Sequence, residues 1–147
     1  MDRHRAYRQI TRGVLGEYND RKASLATLPE RIATERARLT AIRSSSAESQ
    51  MTPSGGGIVR QDRDTAIIAE IDRLTAALDE ASREVSLIEQ CLEQLTKEQR
   101  RTLELMDISR RYGAVALLCE ELGYERSNIY NIHDDALDRF AILYYGR

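Results

Sequence analysis

The chain has 147 residues and a formal net charge of −2, with 31% charged and only 5% aromatic residues. Cys91 and Cys119 are too few for a disulfide framework, and neither has a His or second Cys at ligand spacing, so no metal or cofactor is expected. The opening MDRHRAYRQI lacks the apolar core of a secretory leader, and no apolar run approaches the roughly 18 residues of a membrane span, so a cytoplasmic protein is expected.

Many Ala, Leu, Glu and Arg residues with few β-branched runs point to long helices or coiled coil. In the first third, Tyr7, Ile10, Val14 and Tyr18 form an apolar stripe. Leu25, Leu28, Ile32, Leu39 and Ile42 form a second run at seven-residue phase, with Glu35 in one apolar slot. Pro29 interrupts helical hydrogen bonding, but the phase runs through it, which predicts a kink rather than a break. Residues 44–61, SSSAESQMTPSGGGIVRQ, have no period and are expected to form a flexible loop. Their Gly run lacks the Lys-Ser/Thr of a phosphate-binding loop.

The strongest periodic signal follows. Ile67, Ile71, Leu74, Leu78, Ala81, Val85, Ile88, Leu92 and Leu95 recur at steps of four and three. Two heptad helices joined by a loop predict an antiparallel hairpin over 1–95. Charge agrees: residues 1–43 carry ten Lys/Arg and five Asp/Glu, and residues 44–95 carry four and ten. A two-helix seam leaves apolar surface exposed, so self-association, a dimer foremost, is expected through Ile67, Ile71, Leu74, Leu78, Val85 and Ile88.

Thr96-Lys97-Glu98-Gln99 has the spacing of a capping box and predicts a new helix. Gly113 ends it. A short helix, AVALLCEEL, then stops at Gly123, and a last helix runs from about Arg126 towards Tyr144. This pair fits a helix-turn-helix over 96–147, with Cys119 as the small residue at the crossing and Gly123 in the turn. Leu118, Leu122, Tyr124, Ile129 and Ile132 fill the apolar slots. On the last helix, Ile129, Ile132, Ala136 and Phe140 are expected inward, and Arg126, Ser127, Tyr130, Asn131 and Asp134 outward.

That outward face carries groups suited to reading duplex DNA. Arg126 matches the paired acceptors of guanine, and Asn131 the donor–acceptor edge of adenine. Ser127 and Tyr130 suit phosphate or base edges. Arg110, Arg111, Lys97, Arg100 and Arg101 are candidate phosphate contacts. Against this, residues 96–147 carry eight Lys/Arg and nine Asp/Glu, with Asp134, Asp135 and Asp138 on the reading helix. Phosphate attraction supplies most non-specific affinity, so a weak monomeric binder is expected, aided by self-association or by a partner such as RNA polymerase. His133 stands beside Asp134 and Asp135, but no nucleophile or metal-ligand spacing accompanies it. It is expected on the helix surface, and no enzymatic activity is expected.

From Leu95 to Phe140 the chain resembles sigma-factor region 4, and within that group the phage-encoded regulators of the ArpU and RinA type. The resemblance rests on LTKEQRRTLELM and on LCEELGYERSNIYNIHDDALDRF, with Leu122, Gly123, Tyr124, Ile129, Tyr130, His133, Ala136 and Leu137 in the family's pattern. It implies a helical hairpin followed by a sigma region 4-like DNA-binding domain. It also implies control of phage late genes, such as those for lysis or packaging, in a bacterial host. The chain departs from the pattern at Glu125, where a Ser or Thr caps the recognition helix in the family, and lacks a Trp before the first motif helix. Two alternatives remain: a small phage packaging subunit combining a helix-turn-helix with a helical oligomerisation region, or a module that binds only protein.

Overall fold

A computed structural model describes residues 3–48 and 56–146, and among these the protein is all-α. Helix α1 is Arg3–Glu48 and α2 is Gly56–Glu93. Helix α3, Lys97–Leu103, passes into a π-helical turn, Glu104–Ile108. Helices α4, Ala114–Leu122, and α5, Arg126–Tyr145, complete the chain. The two long helices extend into the stretch expected to be a loop, α1 ending at Glu48 and α2 beginning at Gly56. The remainder of that stretch, 49–55, lies outside the described residues.

Proline in a helix interior costs roughly 3 kcal/mol, yet α1 is unbroken through Pro29. Leu28 and Ile32, on either side of it, are both buried in one cluster with Leu74 of α2. Tertiary burial of two large side chains, at about 1.5–3 kcal/mol each, is enough to carry the helix across.

The chain forms two compact units, Lys22–Ser82 and Met1–Arg21 with Arg83–Arg147. In the first, α1 and α2 are antiparallel. Arg31 pairs with Glu70 at 3.7 Å and Arg43 with Asp64 at 3.8 Å, so rising numbers on one helix meet falling numbers on the other. Such exposed pairs contribute little energy but help set register. Leu28, Ile32 and Leu74 form the core, with Ile71, Ala77 and Leu78 packed on it. Ile67 is also buried.

The predicted seam is therefore closed within one chain. Ile67 and Leu74 in this unit, and Val85 and Ile88 in the other, are at most 5% exposed. Ile71 and Leu78 are half-buried. Of the six residues expected to mediate self-association, Ile67, Leu74, Val85 and Ile88 are thus buried within their own chain, and Ile71 and Leu78 keep part of their surface open.

In the second unit the start of α1 and the end of α2 pack with α3 to α5. The C-terminal unit accordingly extends beyond 96–147. Thr11 and Leu15 are fully buried and Tyr18 is 9% exposed, whereas Ile10 is 54% exposed. The inward face of α1 here is turned by one residue from the expected stripe. Thr11 tolerates burial because its hydroxyl donates to the Tyr7 carbonyl at 2.8 Å. The Tyr18 hydroxyl donates to Glu89 Oε1 at 2.7 Å, and Arg21 approaches Glu84 at 3.6 Å, so the helices are antiparallel here too. Leu103, Leu118, Ile129, Ala136 and Phe140 make a fully buried core around which the candidate site is built.

Candidate functional site

The expected capping box is present. Gln99 N–H donates to Thr96 Oγ1, and Thr96 N–H to Gln99 Oε1, each at 3.2 Å. The π-helical turn that follows α3 buries both Leu105 and Asp107. Leu105, Ala114, Leu118 and Ile129 then form one cluster, with Cys119 and Leu122 packed against it. This fixes α4 against the first half of α5.

Gly123 ends α4 with φ 73° and ψ 24°, and its N–H donates to the Cys119 carbonyl. A Cβ there would meet no heavy atom within 4 Å. Backbone conformation alone, rather than space, calls for glycine. Glu125 is extended and takes the N-cap position of α5, but its side chain makes no capping hydrogen bond.

On α5 the buried residues are Ile129, His133, Ala136, Leu137 and Phe140, a helical stripe. Ile132 is half-buried. Arg126, Ser127, Tyr130 and Asn131 are all exposed, Tyr130 at 45%. The residues expected to read bases thus share one open surface. Arg111 and Arg126 line an open concavity of about 320 Å³ with Met106 and the residues from Gly113 to Ala116. Gly113, the N-cap of α4, supplies no side-chain cap, and the Ala114 N–H donates to the Arg111 carbonyl at 3.1 Å.

The other cations differ from expectation. Arg100 donates from Nε to the Leu92 carbonyl at 3.0 Å and from Nη2 to the Glu93 carbonyl at 3.1 Å, and so caps α2. Arg101 holds Glu121 through two bonds of 2.9 Å, which keeps the Glu121 carboxyl below its ordinary range and raises the Arg101 guanidinium. Arg110 has φ 48°, and its guanidinium lies where a Cβ on Gly16 of α1 would be. Arg100 and Arg101 are thus engaged within the chain, a role that spacing alone did not reveal, while Arg110 is exposed beside Gly16. Lys97 and Arg111 remain exposed.

His133, expected on the helix surface, is instead 6% exposed. Its Nε2–H donates to Asp107 Oδ2 at 2.6 Å, while Arg12 Nε donates to Asp107 Oδ1 at 2.8 Å. The phase of Ile129 and Phe140 places residue 133 inward, and the carboxylate of the π-helical turn makes that position tenable for imidazole. Nearby, Arg8 of α1 holds Asp138 through bonds of 2.8 and 2.7 Å and reaches Asp134 at 3.2 Å. The Arg8 guanidinium keeps the Asp138 carboxyl below its ordinary value. Neither arginine stood out in the sequence as part of the site.

Among the described residues, no group of three or more His, Cys, Asp or Glu is placed to hold a metal, and no helix is long and apolar enough to cross a membrane. Cys91 is buried, which pushes its thiol up. Comparison of the chain with family models, curated proteins and solved structures returned no match.

Proposed function

We propose that the protein is a sequence-specific duplex-DNA-binding regulator of transcription, of the sigma region 4-like phage type, acting in a bacterial cytoplasm with host RNA polymerase. One observation carries this reading. Helix α5 follows α4 through a turn at a left-handed glycine, buries Ile129 and Phe140, and presents Arg126, Ser127, Tyr130 and Asn131 together on its open face. A recognition helix needs such a division, because its buried side fixes the angle at which the open side enters the major groove. Arg111 and the first turn of α4 would then meet the phosphate backbone.

The test is selection of binding sites from a random duplex pool by the full chain, followed by affinity measurements across salt concentrations. A single enriched sequence element is expected. Lys97→Ala should weaken selected and unselected duplexes alike and flatten the salt dependence by about one phosphate's worth. Absence of any enriched element, together with binding that does not depend on salt, would count against DNA recognition and favour a module that binds protein alone.

A further inference from the structure

We infer that Arg8 acts as an electrostatic mask over the proposed reading helix, and that α1 thereby sets the DNA affinity of α5. The inference rests on the DNA-binding reading above.

Asp134 lies seven positions beyond Ser127, four beyond Tyr130 and three beyond Asn131, which places it along the same side of α5. Asp138 follows one turn later. By helical rise Asp134 lies about 4.5 Å along the axis from Asn131, within a Debye length, and Asp138 about 10 Å from it, near a Debye length at low salt, where both would repel phosphate. Segment 3–21 of α1 carries five arginines and two acidic residues, Glu17 and Asp20, and Arg8 stands over the two aspartates of α5. It forks onto Asp138 and reaches Asp134 with Nη1 at 3.2 Å. One guanidinium shared by two carboxylates leaves one residual negative charge. Without Arg8 there would be two. The hydrogen bonds from Arg8 hold the Asp138 carboxyl below its ordinary value, in keeping with this pairing. None of these side chains is deeply buried: 30% of Arg8, 49% of Asp134 and 32% of Asp138 is exposed. The local field they set therefore reaches solvent and any polyanion in it.

A packing contact and a charge mask differ in sign. Loss of a packing contact harms the fold whichever partner is removed. A mask makes the two partners opposite: removing the cation exposes charge, and removing a carboxylate uncovers the cation. Arg8→Gln should therefore weaken DNA binding, Asp138→Asn should strengthen it, and Asp134→Asn with Asp138→Asn should strengthen it further.

The experiment measures affinity of the full-length wild type and these variants for two duplexes, one enriched by the wild type and one of unrelated sequence, across salt concentrations. Thermal melts run in parallel. At low salt Arg8→Gln is expected to bind both duplexes about tenfold more weakly, and Asp138→Asn several-fold more tightly, with differences shrinking as salt rises. If both single variants weaken binding in step with their melting temperatures, the contact is structural and the mask is overturned. Unchanged affinity in both overturns it too. Should Arg8→Gln fail to fold, Asp138→Asn decides alone: a gain supports the mask, and a loss or no change overturns it. A wild type that binds neither duplex defeats the DNA reading itself. That outcome is visible before any variant is compared.

Discussion

Asp107 has 1% of its side chain exposed and is held by Arg12 from one side and His133 from the other. Removing one partner of a buried charged set leaves the others desolvated and unpaired, at about 3–5 kcal/mol for fully buried pairs. Arg12 is 55% exposed and can regain water, so Asp107→Ala is expected to destabilise by about 3 kcal/mol, towards the lower end of that range. Chemical denaturation checks this, and a change below about 0.5 kcal/mol, the level of an ordinary surface substitution, would mean the set is not sealed. Tyr18 gives a second test through pH. Burial and the hydrogen bond to Glu89 push its hydroxyl up from 10.0 to about 12. A raised value means that the neutral hydroxyl is favoured on folding, so its contribution is full below pH 10.0 and is lost as pH rises towards about 12. The stability difference between wild type and Tyr18→Phe should shrink across that interval, and a constant difference would contradict the coupling. These contacts were hard to read in the sequence because their partners are remote: Arg12 and Asp107 are 95 positions apart. Local devices such as the Thr96–Gln99 box were legible because both partners lie within one turn.

At the scale of elements, the turn between α4 and α5 depends on Gly123 and on a weak helix start. Since nothing crowds a Cβ at Gly123, substitution there costs only backbone strain. Gly123→Asn, which tolerates the left-handed region, should cost less than about 1 kcal/mol, and Gly123→Val clearly more. Equal melting temperatures for the two would mean that the turn relaxes out of its left-handed conformation. Glu125 holds the N-cap position of α5 without a capping bond. Glu125→Ser should therefore stabilise α5 by about 0.5–1 kcal/mol, read as a higher denaturation midpoint with unchanged slope. The short α4 and its end at Gly123 followed from local chemistry and period, but the helix before it, expected to run to Gly113, ends at Ile108, and Gly113 instead takes the N-cap position of α4. The extensions of α1 to Glu48 and α2 from Gly56 did not follow in this way, because the weak helix propensity of Ser and Gly argues for a loop there.

For the whole molecule, the division into units was the least legible feature. The sequence places residues 1–95 in one hairpin unit, yet Met1–Arg21 belongs with the unit of the C-terminal helices. Periodicity reports that a face is buried but not what buries it. A fragment restricted to 96–147 would lose Arg8, Arg12 and the end of α2 capped by Arg100. It is expected to melt without a cooperative transition by circular dichroism, whereas the full chain should melt cooperatively. A cooperative fragment as stable as the whole would contradict the role given to α1.

Equilibrium binding of the full chain to the duplex it enriches, repeated with Arg126→Ala and Asn131→Ala, tests DNA reading by α5 most directly. Both residues are exposed, so the melting temperatures should not move. Each substitution should weaken binding to the enriched duplex by about 1–3 kcal/mol and reduce discrimination against unrelated sequence. Unchanged affinity and discrimination in both variants, with the fold intact, would contradict the assignment of that face to DNA.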